Sequence, residues 1–475
     1  MPNTEIDLLA VDRGTVTAPA GCGKTHLITE ALSRHSGAKP ILVLTHTNAG
    51  VAALRQRLNR AGVSPKAYVL STIDGWAMRL ISTFPARSGH DPELLNLASP
   101  RTDYPQIRDA AVALIEADHL NDVIEASYAR LIVDEYQDCS IRQHALVTNA
   151  ARVLPTCVLG DPMQAIFGFR GVRLAKWAEH VCTSFPPVGE LNKPWRWINA
   201  DAEPLGLWLR DVRSELLSRK VVDIRTAPAA VTWVELDGTH DYQRRLAAAR
   251  TRPPGGAGSV LIIGESANAK SRHRLASQTP GAVAVDAVDM EDLTAFAQTF
   301  DPTAADALEN LVGFAKGTMT NVGAANIVSR VNSLIRGTAR KPPTDVEHVA
   351  LVFVRAPSYQ AAQELLMELR RQHGVHAYRP AVLRACIKAL ELCEGTDGLS
   401  FYDAVMKVRE QNRLVGRLLP ARSVGSTLLL KGLEAQVAVI LNASSLDARN
   451  LYVAMTRGSR ALVVCSRTPI LRPVW

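Results

Sequence analysis

The chain has 475 residues, 47% of them hydrophobic and 21% charged, a balance that fills more than one core and excludes intrinsic disorder. A formal net charge of +8 and a pI near 9.2 favour a polyanionic partner, because lysine and arginine on phosphates release condensed counterions. No run approaches the roughly 20 apolar residues of a membrane span, the N-terminus lacks a signal-peptide layout, and the seven cysteines form no CxxC pair, which argues against membrane, zinc and iron–sulfur classes and sets a soluble cytoplasmic protein as the expectation.

In chain order, TVTAP (from Thr15) reads as a strand leading into a helix near Thr25–Arg34, and ILVLTHT (from Ile41) into a helix starting at Asn48. AYVLSTI (from Ala67) precedes a third helix, GWAMRLI. RLIVDEY (from Arg130) and TCVLGDP (from Thr156) read as strands apolar on both faces, as a helix-covered parallel sheet requires. Residues 76–129 turn polar and helical and read as an insertion. Further candidate strands are VTWVEL (from Val231), SVLIIG (from Ser259), AVAVDAV (from Ala282), TLLLKG (from Thr427), VAVILNA (from Val437) and ALVVCS (from Ala461). Helical periodicity dominates from about 290 to 420, with ALVFVRA (from Ala350) open between helix and strand. The expected fold is α/β, with two parallel-sheet lobes of the P-loop NTPase kind and helical insertions. The expected parts are 1–75 with 130–190 (first lobe), 76–129 (small helical insertion), 191–290 with 421–475 (second lobe) and 291–420 (reduced helical subdomain).

APAGCGKT (Ala18 to Thr25), after a strand and opening a helix, fits a P-loop with alanine at its first glycine position. Ala20, Gly21, Cys22, Gly23, Lys24, Thr25 and His26 are the expected nucleotide contacts. The glycines let backbone N–H groups approach phosphates, Lys24 reaches the β/γ-phosphates, and the Thr25 hydroxyl ligates Mg²⁺. LIVDEYQD ends a buried strand on Asp134 and Glu135, the first suited to holding the metal and the second to polarising the attacking water. Charge developing on the transferred phosphate calls for arginines, with Arg196 and Arg457 as candidates. Trp76 and Trp197 read as core residues, and His144, His180 and His240 are scattered and receive no role.

These motifs belong to an ordered series: APAGCGKT, LTHTNAGVAALRQRL (from Leu44), LSTIDGWAMRLI (from Leu70), LIVDEYQD, LGDPMQAIFGFRG (from Leu159), LNKPWRW (from Leu191), STLLLKGLEAQV (from Ser426) and NLYVAMTRGSRALVV (from Asn450). The series resembles the UvrD/Rep/PcrA-like superfamily 1A helicases through nearly the whole chain. The resemblance implies two RecA-like lobes, ATP and Mg²⁺ as cofactors, and 3′→5′ movement on single-stranded and tailed duplex DNA. It implies a γ-phosphate sensor at Gln164, arginine fingers at Arg196 and Arg457, an adenine platform at Trp195, and a ribose contact at Glu434 beside Gly432. On the nucleic-acid side it implies Thr45, His46, Asn48, Thr72, Phe167, Phe169 and Arg170. A narrower resemblance, to the helicase subunit of the Gabija anti-phage system, implies an alternative: a DNA- or nucleotide-sensing subunit regulating an OLD-type nuclease partner. The departures are specific. The seventeen residues before Ala18 contain no glutamine, where the family has one that reads adenine. His46 stands for a base-stacking phenylalanine, Phe169 for a tryptophan, Trp195 for a tyrosine, and Pro194 for an asparagine. Asp74 and Leu428 stand where histidine is frequent.

Overall fold

The computed structural model describes residues 6–97, 99–168, 173–395, 398–414 and 420–475, so Phe169 and Arg170 lie outside the described residues. The first part runs β1 (Arg13–Thr17), α1 (Lys24–Arg34), β2 (Ile41–Thr45), α2 (Asn48–Arg60), β3 (Tyr68–Thr72), α3 (Ile73–Thr83), α4 (Pro85–Ser88), α5 (Pro100–Glu116), α6 (Asn121–Ser127), β4 (Arg130–Val133), α7 (Ile141–Ala150), β5 (Thr156–Gly160) and β6 (Pro187–Glu190). Its strands form one six-stranded parallel sheet in the order β3-β2-β4-β5-β1-β6.

The all-apolar strands arise because successive side chains point to opposite faces and both faces are covered. Leu42 and Leu44 of β2 enter one core with Ile73, Trp76 and Leu131. Ile41 and Val43 of the same strand enter the other, with Ile28, Leu32 and Leu58. Helices start immediately after strand ends because polar side chains cap them there: Thr47 accepts from the Gly50 N–H at 3.0 Å and Thr72 from the Gly75 N–H at 2.9 Å. Helix α5 packs on α3 and α7, so Ile107, Ala111 and Leu114 share a core with Leu42 and Leu131.

The later strands are β7 (Val222–Asp223), β8 (Val231–Glu235), β9 (Val260–Ile263), β10 (Ala282–Ala284), β11 (Arg422–Gly425), β12 (Ala435–Ile440), β13 (Gly458–Ser466) and β14 (Ile470–Leu471). Six form a second sheet, β10-β11-β9-β12-β13-β8, and β14 pairs with β7 in a small ribbon. The pairs β10–β11, β11–β9 and β13–β8 run parallel. The two parallel α/β sheets with their helices are two RecA-like lobes. Among the described residues between 291 and 414, the regular elements are helices, from Glu291–Thr299 through Phe401–Leu414. These helices enclose their own core, including Leu311, Val331, Phe353, Leu366, Leu390 and Val405. Contacts group the chain into two compact units, residues 1–235 with 432–438 and 442–475, and residues 236–431 with 439–441. Among the described residues no helix is long and apolar enough to cross a membrane.

Three segments differ from the sequence expectation or resolve it. TLLLKG is turn, and the strand lies just before it at Arg422–Gly425. An apolar run satisfies a turn as readily as a strand when its side chains are buried, as Leu430 is. ALVFVRA belongs to a helix, Asp345–Arg355, fixed by a capping box between Thr344 and Glu347. Strand β6 carries no sequence signal, because an edge strand of proline, valine, glycine and glutamate with a largely exposed pattern shows neither alternation nor an apolar run.

Helix α7 supplies one member of a buried polar pair. The Tyr136 hydroxyl and His144 Nδ1 are 2.9 Å apart, and His144 Nε2 is 3.3 Å from Ser184 Oγ. Burial, and then the nearby His180, pull the His144 pKa down to about 4 from its ordinary 6.5. The folded chain therefore resists a proton that the unfolded chain binds below pH ~6.5. Stability is undiminished above that pH, falls as pH drops from ~6.5 to about 4, and has lost on the order of 2 kcal/mol to this group by pH 5. Urea unfolding at pH 7 and pH 5 should show a smaller difference in His144→Gln than in the native chain, and an equal difference would contradict the assignment. Trp76 is 1% exposed, and Trp76→Ala should lower unfolding free energy by about 3–5 kcal/mol; a loss under about 1 kcal/mol would place it outside the core.

Candidate active site

Strand β1 delivers the chain to the P-loop at the carboxyl edge of the first sheet, the edge where parallel α/β sheets place ligands. The Ala18 N–H donates to the Gly160 carbonyl at 2.8 Å, which ties the loop to β5. Gly21 (φ 71°) and Gly23 (φ 93°) adopt left-handed backbone. A Cβ at Gly21 would stand 2.5 Å from the Trp197 ring, and one at Gly23 would stand 3.0 Å from Trp195. Glycine is required twice over, by conformation and by space. Helix α1 opens with no side-chain cap and no acidic residue in its first turn, which leaves its positive end suited to an anion. Ala20 and Cys22 are buried and His26 is exposed. Burial pushes the Cys22 thiol up to about 12, so it is an inert thiol.

Asp134 follows β4, and Lys24 lies 2.9 Å from its Oδ1 while also pairing with Glu135. Burial alone would lower the Lys24 pKa, but the two carboxylates outweigh it and raise it, so the ammonium stays charged. Burial pushes the Asp134 carboxyl upward, with Lys24 opposing. Glu135 holds φ 56° without being glycine. Its N–H donates to Asp134 Oδ1 at 2.8 Å, and its Oε2 accepts from Gln137 Nε2 at 2.6 Å. Gln137 Oε1 in turn accepts from the Asp161 N–H at 3.1 Å.

Gln164 Nε2 donates to Asp161 Oδ2 at 3.1 Å, and Gln164 Oε1 accepts from Arg457 at 3.4 Å. Arg457, 3% exposed, also donates to the carbonyls of Val453 (2.9 Å) and Leu433 (3.2 Å). Burial, then the charge of Arg196, lower its pKa to about 10, still a cation at neutral pH. Arg196 donates its backbone N–H to the Gly21 carbonyl at 3.0 Å, and its guanidinium to the Thr456 carbonyl at 2.6 Å and Glu434 at 2.5 Å. Glu434 follows Gly432, whose φ is 79°. Burial raises the Glu434 pKa, but Arg196, Arg457 and Arg57 together hold it below the usual range. The exposed Trp195 carries Lys193 Nζ 3.8 Å above its ring, a cation–π contact. Trp197 is buried and donates to the Gly458 carbonyl at 2.9 Å.

Thr45 and Thr72 face each other in register at the ends of β2 and β3. Thr45 is buried, Asn48 is exposed at the start of α2, and the Thr72 oxygen is engaged in capping α3. His46 and Phe167 meet edge to face, with ring centroids 5.0 Å apart. Asp74 is held by Arg108 at 2.7 and 2.6 Å and by Gln143 at 3.0 Å. Three further residues of the site have no role assigned to them from the sequence. Arg57 lies 3.9 Å from Glu434, the Tyr452 hydroxyl accepts from the Ala20 N–H at 3.3 Å, and Arg213 pairs with buried Asp161 at 3.0 Å. Arg57 and Arg213 sit in helices where basic residues ordinarily face solvent, so only tertiary contacts reveal them.

The profile of the UvrD/REP helicase N-terminal domain matches residues 11–104 and 93–179. Over 68 residues the chain is 32% identical to an ATP-dependent helicase/nuclease polypeptide of Leuconostoc mesenteroides, a match covering 14% of this chain and 6% of that protein. A solved complex of arterivirus nonstructural protein 10 (helicase) with DNA aligns with 97% of this chain and 61% of its own, at 10% identity and a TM-score of 0.34, a likeness too slight to argue from. The matched segment contains the P-loop, Asp134, Glu135 and Gln164. The chain thus carries a match to the UvrD/REP helicase N-terminal domain within the first of its two lobes.

Proposed function

We propose that the chain is an ATP-driven translocase that moves 3′→5′ along single-stranded DNA and unwinds tailed duplexes. The observation that carries it is the convergence of Lys24, Asp134, Glu135, Gln164, Arg196 and Arg457 through the contacts described above. The donor set fits a magnesium nucleotide: two glycines in left-handed backbone, an uncapped helix start, a charged lysine followed in the chain by a threonine, and a strand-end carboxylate paired with that lysine. When bound, Mg²⁺ supplies charge neutralisation on the phosphates.

The P-loop N–H groups and Lys24 would hold the phosphates, and Thr25 with Asp134 the metal. Glu135 would take the proton of the attacking water. Arg196 and Arg457 would neutralise charge that develops on the phosphate oxygens, with Gln164 linking Arg457 to Asp161. Trp195 would stack on the base, while Glu434, next to Gly432, would contact the ribose. Thr45, Asn48 and Thr72 would follow the phosphate backbone, with His46 and Phe167 against bases, a grip tolerant of sequence because every base has a π-face. Phe169 and Arg170 are proposed to extend that path. The proposed parts are the two lobes, 1–75 with 130–190 and 191–290 with 421–475, the insertion 76–129 and the helical subdomain 291–420.

Steady-state ATP hydrolysis, with and without single-stranded DNA or RNA, tests the reading. Stimulation by DNA is expected, with Lys24→Ala inactive and Glu135→Gln slowed by about 10²-fold or more. Faster unwinding of 3′-tailed than 5′-tailed duplexes is expected. Hydrolysis indifferent to DNA would overturn the autonomous motor and favour a sensing subunit that regulates a partner nuclease.

A further inference from the structure

We propose that His144 is a positioning residue: through the Tyr136 hydroxyl it holds Glu135 in the backbone conformation that keeps its carboxylate on Lys24. The inference rests on the hydrolytic reading of Glu135 given above. Glu135 sits at φ 56°, ψ 38°, a region that non-glycine residues occupy only when their surroundings impose it. The carboxylate pairs with Lys24 where the chain leaves β4 and turns into the short 3-10 helix Tyr136–Asp138. Two anchors follow that turn. Gln137 bonds both the Glu135 carboxylate and the Asp161 N–H. Tyr136 is driven into the core, 0% exposed, and its hydroxyl must find a partner there.

That partner is His144, at 2.9 Å. The histidine is itself fixed, with Nε2 3.3 Å from Ser184 Oγ and its ring edge-on to Phe185. Either neutral tautomer makes both contacts, and the one in which Nδ1 accepts gives the buried Tyr136 hydroxyl proton a partner while Nε2–H donates to Ser184. The Ser184 carbonyl accepts from Arg13 Nε at 2.8 Å, and Arg13 begins the strand that feeds the P-loop. The chain of contacts thus references the base to the same strand that places Lys24. A shift of about an ångström in a reacting group is enough to cost about 10²-fold in rate, so an anchor with no contact to nucleotide can set the turnover.

Asparagine and glutamine at 144 separate the two ring nitrogens, because an asparagine amide reaches the place of Nδ1 and a glutamine amide that of Nε2. Tyr136→Phe and His144→Gln should each lower kcat for ATP about tenfold with KM for ATP within about twofold, whereas His144→Asn should keep at least about a third of native kcat. In a Glu135→Gln background, Tyr136→Phe should add no further loss. Thermal unfolding of each variant checks that it is folded. Equal damage from the asparagine and glutamine variants, or a loss that persists without Glu135, would overturn the inference. Crystal structures of Tyr136→Phe and His144→Gln give a readout independent of turnover. Glu135 displaced from Lys24 and from positive φ supports the anchor even if the native chain hydrolyses no ATP, a result that would sink only the functional reading. Glu135 unmoved in both variants would overturn the anchor.

Discussion

Lys24 between Asp134 and Glu135 is the contact that the arrangement of the first lobe serves. A buried ammonium is tolerable only with compensating charge, and the compensation comes from the end of β4, adjacent in the sheet to β5 and one strand removed from β1. Parallel pairing is what puts the ends of these strands on one edge. A one-residue slip in register would turn Asp134 away from that edge and send Val133 into its place. The alternation of Leu131, Ile132 and Val133 between two cores makes such a slip costly, so packing of the core and placement of the charge are one constraint.

The other cations are held with equal economy of contacts. Arg457 is buried and spends its donors on carbonyls and on Gln164, while Arg196 rests on Glu434 and the Thr456 carbonyl. Guanidinium geometry suits this, because a planar fork can satisfy several acceptors at once and remain charged. Glu434 shares Arg196 with no loss of its own ionisation, being surrounded by three arginines. A nucleotide in such a site would compete for donors that are already aligned, which is a way to make binding depend on charge and geometry together.

The parallel sheet is legible in the sequence because continuous apolar strands with polar ends have few other uses, and the P-loop is legible because GKT after a strand has one mechanical reading. What escapes is set by tertiary context. Strand β6 is exposed and glycine-bearing, TLLLKG is apolar for burial in a turn, and Arg57 looks like any solvated helix arginine until Glu434 is placed beside it. His144 is the extreme case: eight residues from Tyr136 in sequence, it acquires meaning only because α7 folds back under the turn after β4. Departures from the family pattern become concrete in the same way. Asp74, where histidine is frequent, is tied down by Arg108 and Gln143, and His46 keeps an aromatic partner in Phe167.

The most direct test of the charge cluster as a nucleotide site is a crystal structure of the chain with Mg²⁺, ADP and aluminium fluoride. The account predicts Lys24 transferred from Asp134 and Glu135 to phosphate oxygens, the metal between Thr25 and Asp134, and both Arg196 and Arg457 within hydrogen-bond distance of the fluoride group. Nucleotide bound elsewhere, with Lys24 still paired to the two carboxylates, would contradict it.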